Sequence, residues 1–272
     1  MMREKIPPPA ITKEHGSWAV LVIPMLVNAC IAGKWSTNAI FVAASALGIF
    51  MSYVPAQALL RHYSGITQGE EKLRQAKFWA VAYLFATVAF VVPLLLSGYT
   101  LLLAIGITGA IFFFCNFFLV KYYSKMIVTD LIAVAGLTLS GPSMYYVLTG
   151  MFDWYAVLLY VLNFLFFGWS VFYVHMKIQA SATKKTDLMW RKKLSLGKAN
   201  LLYYAAVVAV VAILAAAHIV PTLVLAAFVP MILHGVYGIL KLSTRVNFKK
   251  LGLLLLGQSI LFGVLLSFVL MK

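Results

Sequence analysis

The sequence has few charged residues and very few acidic ones. Only 11% of its 272 residues are charged and 63% are hydrophobic, and 22 Lys and Arg stand against 7 Asp and Glu. A soluble globule of this composition could not cover its surface with polar side chains. The cations lie in short gaps between apolar runs rather than on one polar face, so they do not indicate a nucleic-acid partner. The composition therefore predicts an integral membrane protein.

Cysteine is also scarce, since the chain has two. Cys30 and Cys115 both lie inside apolar runs, so neither a disulfide framework nor a thiolate metal site is indicated. We expect both residues to be buried structural thiols.

Long apolar runs make up most of the chain. A membrane-spanning helix needs about 20 apolar residues, because about 30 Å of hydrocarbon is crossed at about 1.5 Å per residue. The stretches that qualify are 16–33, 39–60, 76–96, 99–120, 126–149, 154–176, 199–217, 219–240 and 251–270. Only His218 and Pro221 separate the seventh from the eighth, and one bent helix there would change the parity. The sequence predicts an all-α, polytopic transmembrane helical bundle of about nine spans.

The distribution of Lys and Arg predicts how these spans are oriented. All but Lys34 and Lys272 fall in the N-terminal tail or in every second gap between spans. Basic residues are retained on the cytoplasmic side, so we expect a cytoplasmic N-terminus, an outside C-terminus and a multi-pass location in the plasma or inner membrane. The predicted organisation is a cytoplasmic tail over 1–15 and a single transmembrane domain over 16–272, with cytoplasmic loops at 61–75 and 177–198.

Several cations would surround the cytoplasmic ends of adjacent spans. They are Arg61, Arg74, Lys77, Lys121, Lys125, Lys177 and Arg191. A ring of this kind is expected of a pocket for phosphate or carboxylate head groups. Attraction to anionic lipid, together with the orientation signal itself, is the alternative explanation and is sufficient alone.

Three histidines map to the same cytoplasmic interface: His15, His62 and His175. Imidazoles at one depth could bind a metal or haem iron or carry protons, but no pair has i, i+4 spacing, and interfacial hydrogen bonding is favoured. Asp130 is the only carboxylate well inside a predicted span. It could form an ion pair with Lys121 or Lys125, or it could belong to a site.

Other polar and helix-breaking residues also lie inside spans. We expect Asn116, Asn163 and Gln258 to form interhelical hydrogen bonds. Gly141 and Pro142 adjoin in the middle of the fifth span, where freed backbone groups often border a cavity.

Three segments resemble the YwiC-like bacterial membrane proteins. They are residues 15–19 (HGSWA) followed by Pro24, the stretch from Asp130 through 140–142 (SGP) to Tyr145 and Tyr146, and residues 170–174 (SVFYV). The resemblance spans most of the chain. It implies a bacterial membrane location and little about activity.

The layout is also similar, more distantly, to that of the UbiA superfamily of intramembrane prenyltransferases, which have nine helices and large cytoplasmic gaps after helices two and six. Their chemistry needs Asp-rich motifs in those gaps, because carboxylates hold the Mg²⁺ that binds the isoprenyl diphosphate. Here the first gap opens on residues 60–65 (LRHYSG) with no Asp, and the second keeps only Asp187. The resemblance therefore implies a scaffold degenerate for Mg²⁺-dependent prenyl transfer.

The leading hypothesis is a protein that binds an amphipathic anionic lipid, of isoprenoid or quinone type, at a cytoplasmic cavity, with membrane lipids as its other partners. The candidate ligand-binding residues are His15, Arg61, His62, Arg74, Lys121, Lys125, Asp130, Tyr173, His175, Asp187 and Arg191. One alternative is a divergent UbiA-like prenyl or lipid transferase that uses His62 and Asp187. A second alternative is a small-molecule transporter that uses Asp130 and His234.

Overall fold

A computed structural model describes residues 7–12, 15–65, 69–123, 127–183 and 188–271, and all secondary structure in these ranges is helical. The helices are α1 (His15–Ala32), α2 (Asn38–Tyr63), α3 (Glu70–Leu96), α4 (Leu101–Tyr123), α5 (Ile127–Thr138), α6 (Ser140–Thr149), α7 (Trp154–Ser181), α8 (Trp190–Ala216), α9 (Val224–Leu240) and α10 (Phe248–Leu270).

The predicted polytopic helical bundle is confirmed. Seven stretches are long and apolar enough to cross a membrane, and the shorter apolar helices 16–32 and Val224–Leu240 account for the other two predicted spans. The seventh and eighth spans are separate helices, because the chain turns at His218, whose φ is 56°. The chain is therefore a multi-pass membrane protein.

The fifth predicted span is divided into two helices. α5 ends at Thr138 and α6 begins at Ser140, immediately before the Gly141 and Pro142 pair that predicts a break. Pro142 lies in the first turn of α6, where its missing N–H removes no helical hydrogen bond. α6 packs mainly against α1 and also against α2 and α7, whereas α5 packs mainly against α4 and α7 and also against α1. The Ser140 hydroxyl donates to the Leu21 carbonyl at 2.7 Å and fixes α6 to α1.

Two groups of buried side chains form the core. The larger surrounds α7 and includes residues of α1, α8, α9 and α10, with the Phe166 and Phe262 rings stacked at 3.8 Å. The smaller lies between α1, α2 and α6. α3 and α4 are peripheral, with most side chains exposed to the surroundings. Cys30 and Cys115 are exposed on the surface of the bundle, so the expectation that both are buried thiols is wrong.

Successive helices run in opposite directions, with α5 and α6 together forming one crossing. We call the end of the bundle that carries most of the Lys and Arg residues the basic end. There α2, α4, α7 and α9 end, and α1, α3, α5, α8 and α10 begin. Of the Lys and Arg residues that the structure describes, only Lys34 lies at the opposite end. By the positive-inside rule the basic end is predicted to face the cytoplasm.

Candidate functional site

A cleft opens at the basic end between α2 and α4. Its volume is about 190 Å³, and it is lined by Gln57 and Arg61 of α2 and by Phe117, Val120 and Lys121 of α4. Residues four apart share one face of a helix, which is why Gln57 and Arg61 both face α4. Phe117 and Lys121 follow the same spacing, so the cleft has cations at its mouth and an amide and an aromatic ring below them.

An aromatic contact joins the two helices one turn further from the basic end. The rings of Tyr53 and Phe113, one turn deeper on each helix, meet edge to face at 5.5 Å. The Gln57 amide donates to the Tyr53 hydroxyl at 3.4 Å. Over about two helical turns inward from the basic end, the side chains therefore change from charged to polar to aromatic. An amphipathic anion would meet a matching order of groups.

The two cations occupy helix ends. Arg61 lies in the last turn of α2 and Lys121 in the last turn of α4, and both side chains are exposed. A helix C-terminus carries partial negative charge, so each cation is stabilised there even without a ligand. Within the described part of the chain, neither side chain is paired with a carboxylate, and the Lys121 ammonium lies 5.3 Å from the Tyr122 ring centre. Both remain available to an anionic group.

Asp130 contacts a histidine of another helix. The His175 Nε2 lies 2.9 Å from the Asp130 Oδ2 and joins the start of α5 to the last turns of α7. Both side chains are partly buried, at 20% exposure for His175 and 29% for Asp130. Lys121, one of the predicted partners, lies instead on the cleft, and Lys125 is outside the described residues. The contact is consistent with the structural ion-pair interpretation.

The predicted interhelical role of Asn116 is confirmed next to this pair. Its Nδ2 donates to the Thr129 carbonyl and connects α4 to α5. Asn163 behaves differently, because its Nδ2 donates to the Leu159 carbonyl of its own helix and its buried Oδ1 has no partner among the described residues. Together, Asn116 and Asp130 hold three helices in contact at the basic end.

Tyr173 lies in the protein interior, away from the α2–α4 cleft. Its hydroxyl is 3.0 Å from the His234 Nε2, and its side chain is 3% exposed. The Trp169 indole packs on both rings. Gly235 and Gly238 of α9 allow this close approach, since a Cβ at Gly238 would meet the Tyr173 ring and one at Gly235 would meet the Tyr204 ring.

Two lysines bind the C-terminal end of a helix. One, Lys177, belongs to the predicted cation ring, and the other, Lys193, belongs to the predicted cytoplasmic loop 177–198. The Lys177 ammonium donates to the Gly238 carbonyl and the Lys193 ammonium donates to the Leu240 carbonyl, each at 3.2 Å. These carbonyls lie in the last turn of α9 and have no partner within the helix. Cations favour such ends because they offset the partial negative charge. Lys177 also lies 5.1 Å from the Tyr173 ring centre.

The other candidate residues are dispersed or lie outside the description. Arg74 is on α3 and Arg191 is exposed in the first turn of α8. His62 packs against the Tyr63 ring at 5.6 Å, and its buried Nδ1 has no hydrogen-bond partner in the described part of the chain. Lys125, Asp187 and the side chain of His15 fall outside the described residues, so convergence of the three histidines stays a prediction.

Sequence reasoning missed the uncharged walls of the cleft. Gln57, Phe117 and Val120 carry no charge, and nothing in their local sequence distinguishes them from other span residues. The available signal is spacing, because Gln57 lies four residues before Arg61 and Phe117 lies four residues before Lys121. Among the described residues, no group of three His, Cys, Asp or Glu side chains is placed to hold a metal ion.

Comparison with curated proteins and with solved structures gives no match. A family model does match, over residues 11–145. That segment contains α1 to α5, both walls of the α2–α4 cleft and Asp130, and it ends within α6; residues 170–174 lie beyond it. The matched family is described as YwiC-like protein, and the chain is similar to that family over this segment, which is just under half of its length.

Proposed function

We propose that this membrane protein binds an amphipathic anionic lipid of the isoprenoid class, with the anionic head held between Arg61 and Lys121 at the mouth of the α2–α4 cleft. The observation that supports the proposal most directly is that two cations from different helices line one cleft. Charge-assisted hydrogen bonds from Arg and Lys to phosphate or carboxylate oxygens are among the stronger polar contacts in proteins.

The size of the cleft supports a bound head group with its tail outside. Its volume of about 190 Å³ is below the roughly 300 Å³ at which small-molecule pockets usually begin. This accommodates a phosphate or diphosphate but not a polyprenyl chain. The tail would follow the exposed surface of α4, where Phe114 and Phe118 are 46% and 49% exposed.

The lining of the cleft favours binding without a divalent metal. None of its five residues is a carboxylate, whereas Mg²⁺ requires oxygen ligands and usually at least one carboxylate. The cations supply directly the positive charge that a metal would otherwise provide. We therefore expect binding of the head group to be unchanged by chelators, and we favour a binding role over prenyl transfer.

The test compares farnesyl phosphate with farnesol for the protein in lipid nanodiscs. We expect Arg61→Gln and Lys121→Gln each to weaken farnesyl phosphate binding about tenfold, which corresponds to about 1.4 kcal/mol, because each removes one charge-assisted contact. Lys34→Gln at the opposite end is the matched control and should leave the dissociation constant unchanged. Native mass spectrometry or isothermal calorimetry would give the constants.

Three results would contradict the proposal. Equal affinity for farnesol and farnesyl phosphate would show that the head group is not recognised. Unchanged affinity in both cleft variants would place the ligand elsewhere. Binding of the neutral decylubiquinone, unaffected by Arg61→Gln, would favour the quinone-type ligand and an uncharged mode of recognition.

A further inference from the structure

α2 and α3 pack against each other more extensively than any other pair of described helices. Gly48 allows the close approach, since a Cβ there would lie 3.4 Å from the Cα of Thr87 and closer still to its hydroxyl. The Phe41 and Phe90 rings also meet across the pair, at 6.1 Å. Close packing along this length makes the two helices one rigid unit, which we call the arm.

The arm is attached to the rest of the bundle mainly at the end opposite the basic end. There the Asn38 amide donates to the Tyr99 hydroxyl at 3.3 Å, and the Tyr99 ring meets the Tyr146 ring of α6 edge to face at 5.6 Å. Ala39, Val42 and Leu94 of the arm share the smaller buried core with α1 and α6. This end of the arm is therefore held by both apolar burial and a hydrogen bond.

The basic end of the arm is held much less. Among the described helices, α3 packs extensively against α2 only, and α2 makes few contacts with α1. The Tyr53 and Phe113 rings touch α2 to α4, and beyond them the two helices separate to form the cleft. A rigid unit fixed at one end and loose at the other can pivot about the fixed end.

The N-terminal segment 7–12, which we call the strap, also contacts the basic end of the arm. The Gln75 amide donates to the Pro8 carbonyl at 2.7 Å, and the Trp79 indole N–H donates to the Pro7 carbonyl at 3.1 Å. Gln75 and Trp79 are one helical turn apart on α3. Proline has no N–H and favours an extended chain, whose carbonyls remain free for such donors.

The strap meets the arm at the depth of the cleft mouth. α2 and α3 are antiparallel, and the contact of Gly48 with Thr87 fixes their register. Counting from that contact places Gln75 and Trp79 at about the level of Gln57 and Arg61. The strap leads on in the chain to α1, a core helix that packs against α6 and α10.

We propose that the strap is a tether that limits how far the α2–α3 arm swings away from α4, and so sets the width of the α2–α4 cleft. The two hydrogen bonds to Pro7 and Pro8 contribute to this restraint. Their loss leaves the arm fixed at the opposite end and held less tightly at the basic end. This inference concerns the motion of the arm and does not depend on the proposed ligand.

The experiment measures spin-label distances in nanodiscs, in a background with Cys30→Ser and Cys115→Ser. One label pair, Tyr63→Cys and Tyr122→Cys, spans the basic ends of α2 and α4, where both side chains are well exposed. The second pair, Ile40→Cys and Leu103→Cys, spans the opposite ends of the same helices. Each pair is measured with the strap contacts intact and with Gln75→Ala combined with Trp79→Phe, which removes both donors but keeps an aromatic ring.

We expect the basic-end distance to lengthen by more than about 2 Å, the scale that distinguishes a rearrangement from ordinary side-chain adjustment, or to broaden to longer values. The opposite-end distance should not change. Trp35→Phe, at an exposed tryptophan of the opposite end, is the matched control and should change neither distance. Unchanged distances at the basic end, or an equal increase at both ends, would overturn the proposal.

A cross-link supplies an independent variant. Pro8→Cys with Gln75→Cys replaces the hydrogen bond by a disulfide on oxidation. The cross-link is formed before labelling, and the comparison protein carries Pro8→Ser with Gln75→Ser. We expect the cross-linked protein to have the narrower basic-end distribution. Identical basic-end distributions in the two proteins would also overturn the proposal.

Discussion

The substitutions Gly235→Ala and Gly238→Ala are expected to destabilise the protein by about 1–3 kcal/mol each, the usual cost of forcing extra volume into a packed interior. An added Cβ at Gly238 would lie 2.6 Å and 2.8 Å from ring carbons of Tyr173, and one at Gly235 would lie 2.8 Å from a ring carbon of Tyr204. Both rings are buried and cannot swing away. The result would be a lower thermal unfolding midpoint in detergent.

Glycines of α10 provide the control. A Cβ at Gly252 or Gly257 would have no neighbour within 4 Å, so alanine there should be neutral or slightly stabilising, because Ala favours a helix over Gly by up to about 1 kcal/mol. Equal unfolding midpoints for the α9 and α10 variants would show that α9 does not approach α7 and α8 as closely as described.

Breaking the Asp130 and His175 pair from either side is expected to cost about 1–3 kcal/mol, because the remaining partner loses this contact while it stays partly buried. Asp130→Asn and His175→Gln are the single variants. Their combination should cost less than the sum of the two, with a coupling of about 0.5–3 kcal/mol, because the second change removes a contact already lost. Chemical or thermal unfolding of all four proteins gives the coupling.

Asp153→Asn supplies the matched carboxylate control. Asp153 caps α7 at the opposite end, where its Oδ1 accepts from the Tyr155 and Ala156 amides at 3.1 Å. Its effect should add to that of His175→Gln within about 0.5 kcal/mol, since the two sites are far apart. Additivity of Asp130→Asn with His175→Gln would show that the observed contact contributes nothing to stability.

The membrane fold was predictable because bilayer thickness fixes the length of an apolar run. The nine spans were read from hydropathy, and the turn at His218 and the division next to Gly141 and Pro142 were read from local breakers. Burial was not predictable in the same way. Cys30 and Cys115 lie in uniformly apolar helices, where sequence alone does not separate the protein-facing side from the lipid-facing side.

The candidate site was predictable only in part. Arg61 and Lys121 were identified because cations at helix ends are evident in the sequence, but Gln57 was not. The partners of Asp130 and Lys177 depend on which helices are neighbours, and spacing along one chain carries no such information. His175 was therefore not foreseen as a partner of Asp130, and Lys177 caps α9 instead of joining an anion site.

The division of one membrane crossing at Leu139 gives its two halves different main neighbours. α6 packs most extensively against α1 and α2, and α5 packs most extensively against α4 and α7. Changes in the α6 half act on the anchorage of the arm, and changes in the α5 half act on the contacts of Asp130. Substitutions in a single stretch of about two dozen residues therefore reach both the basic end and the opposite end of the bundle.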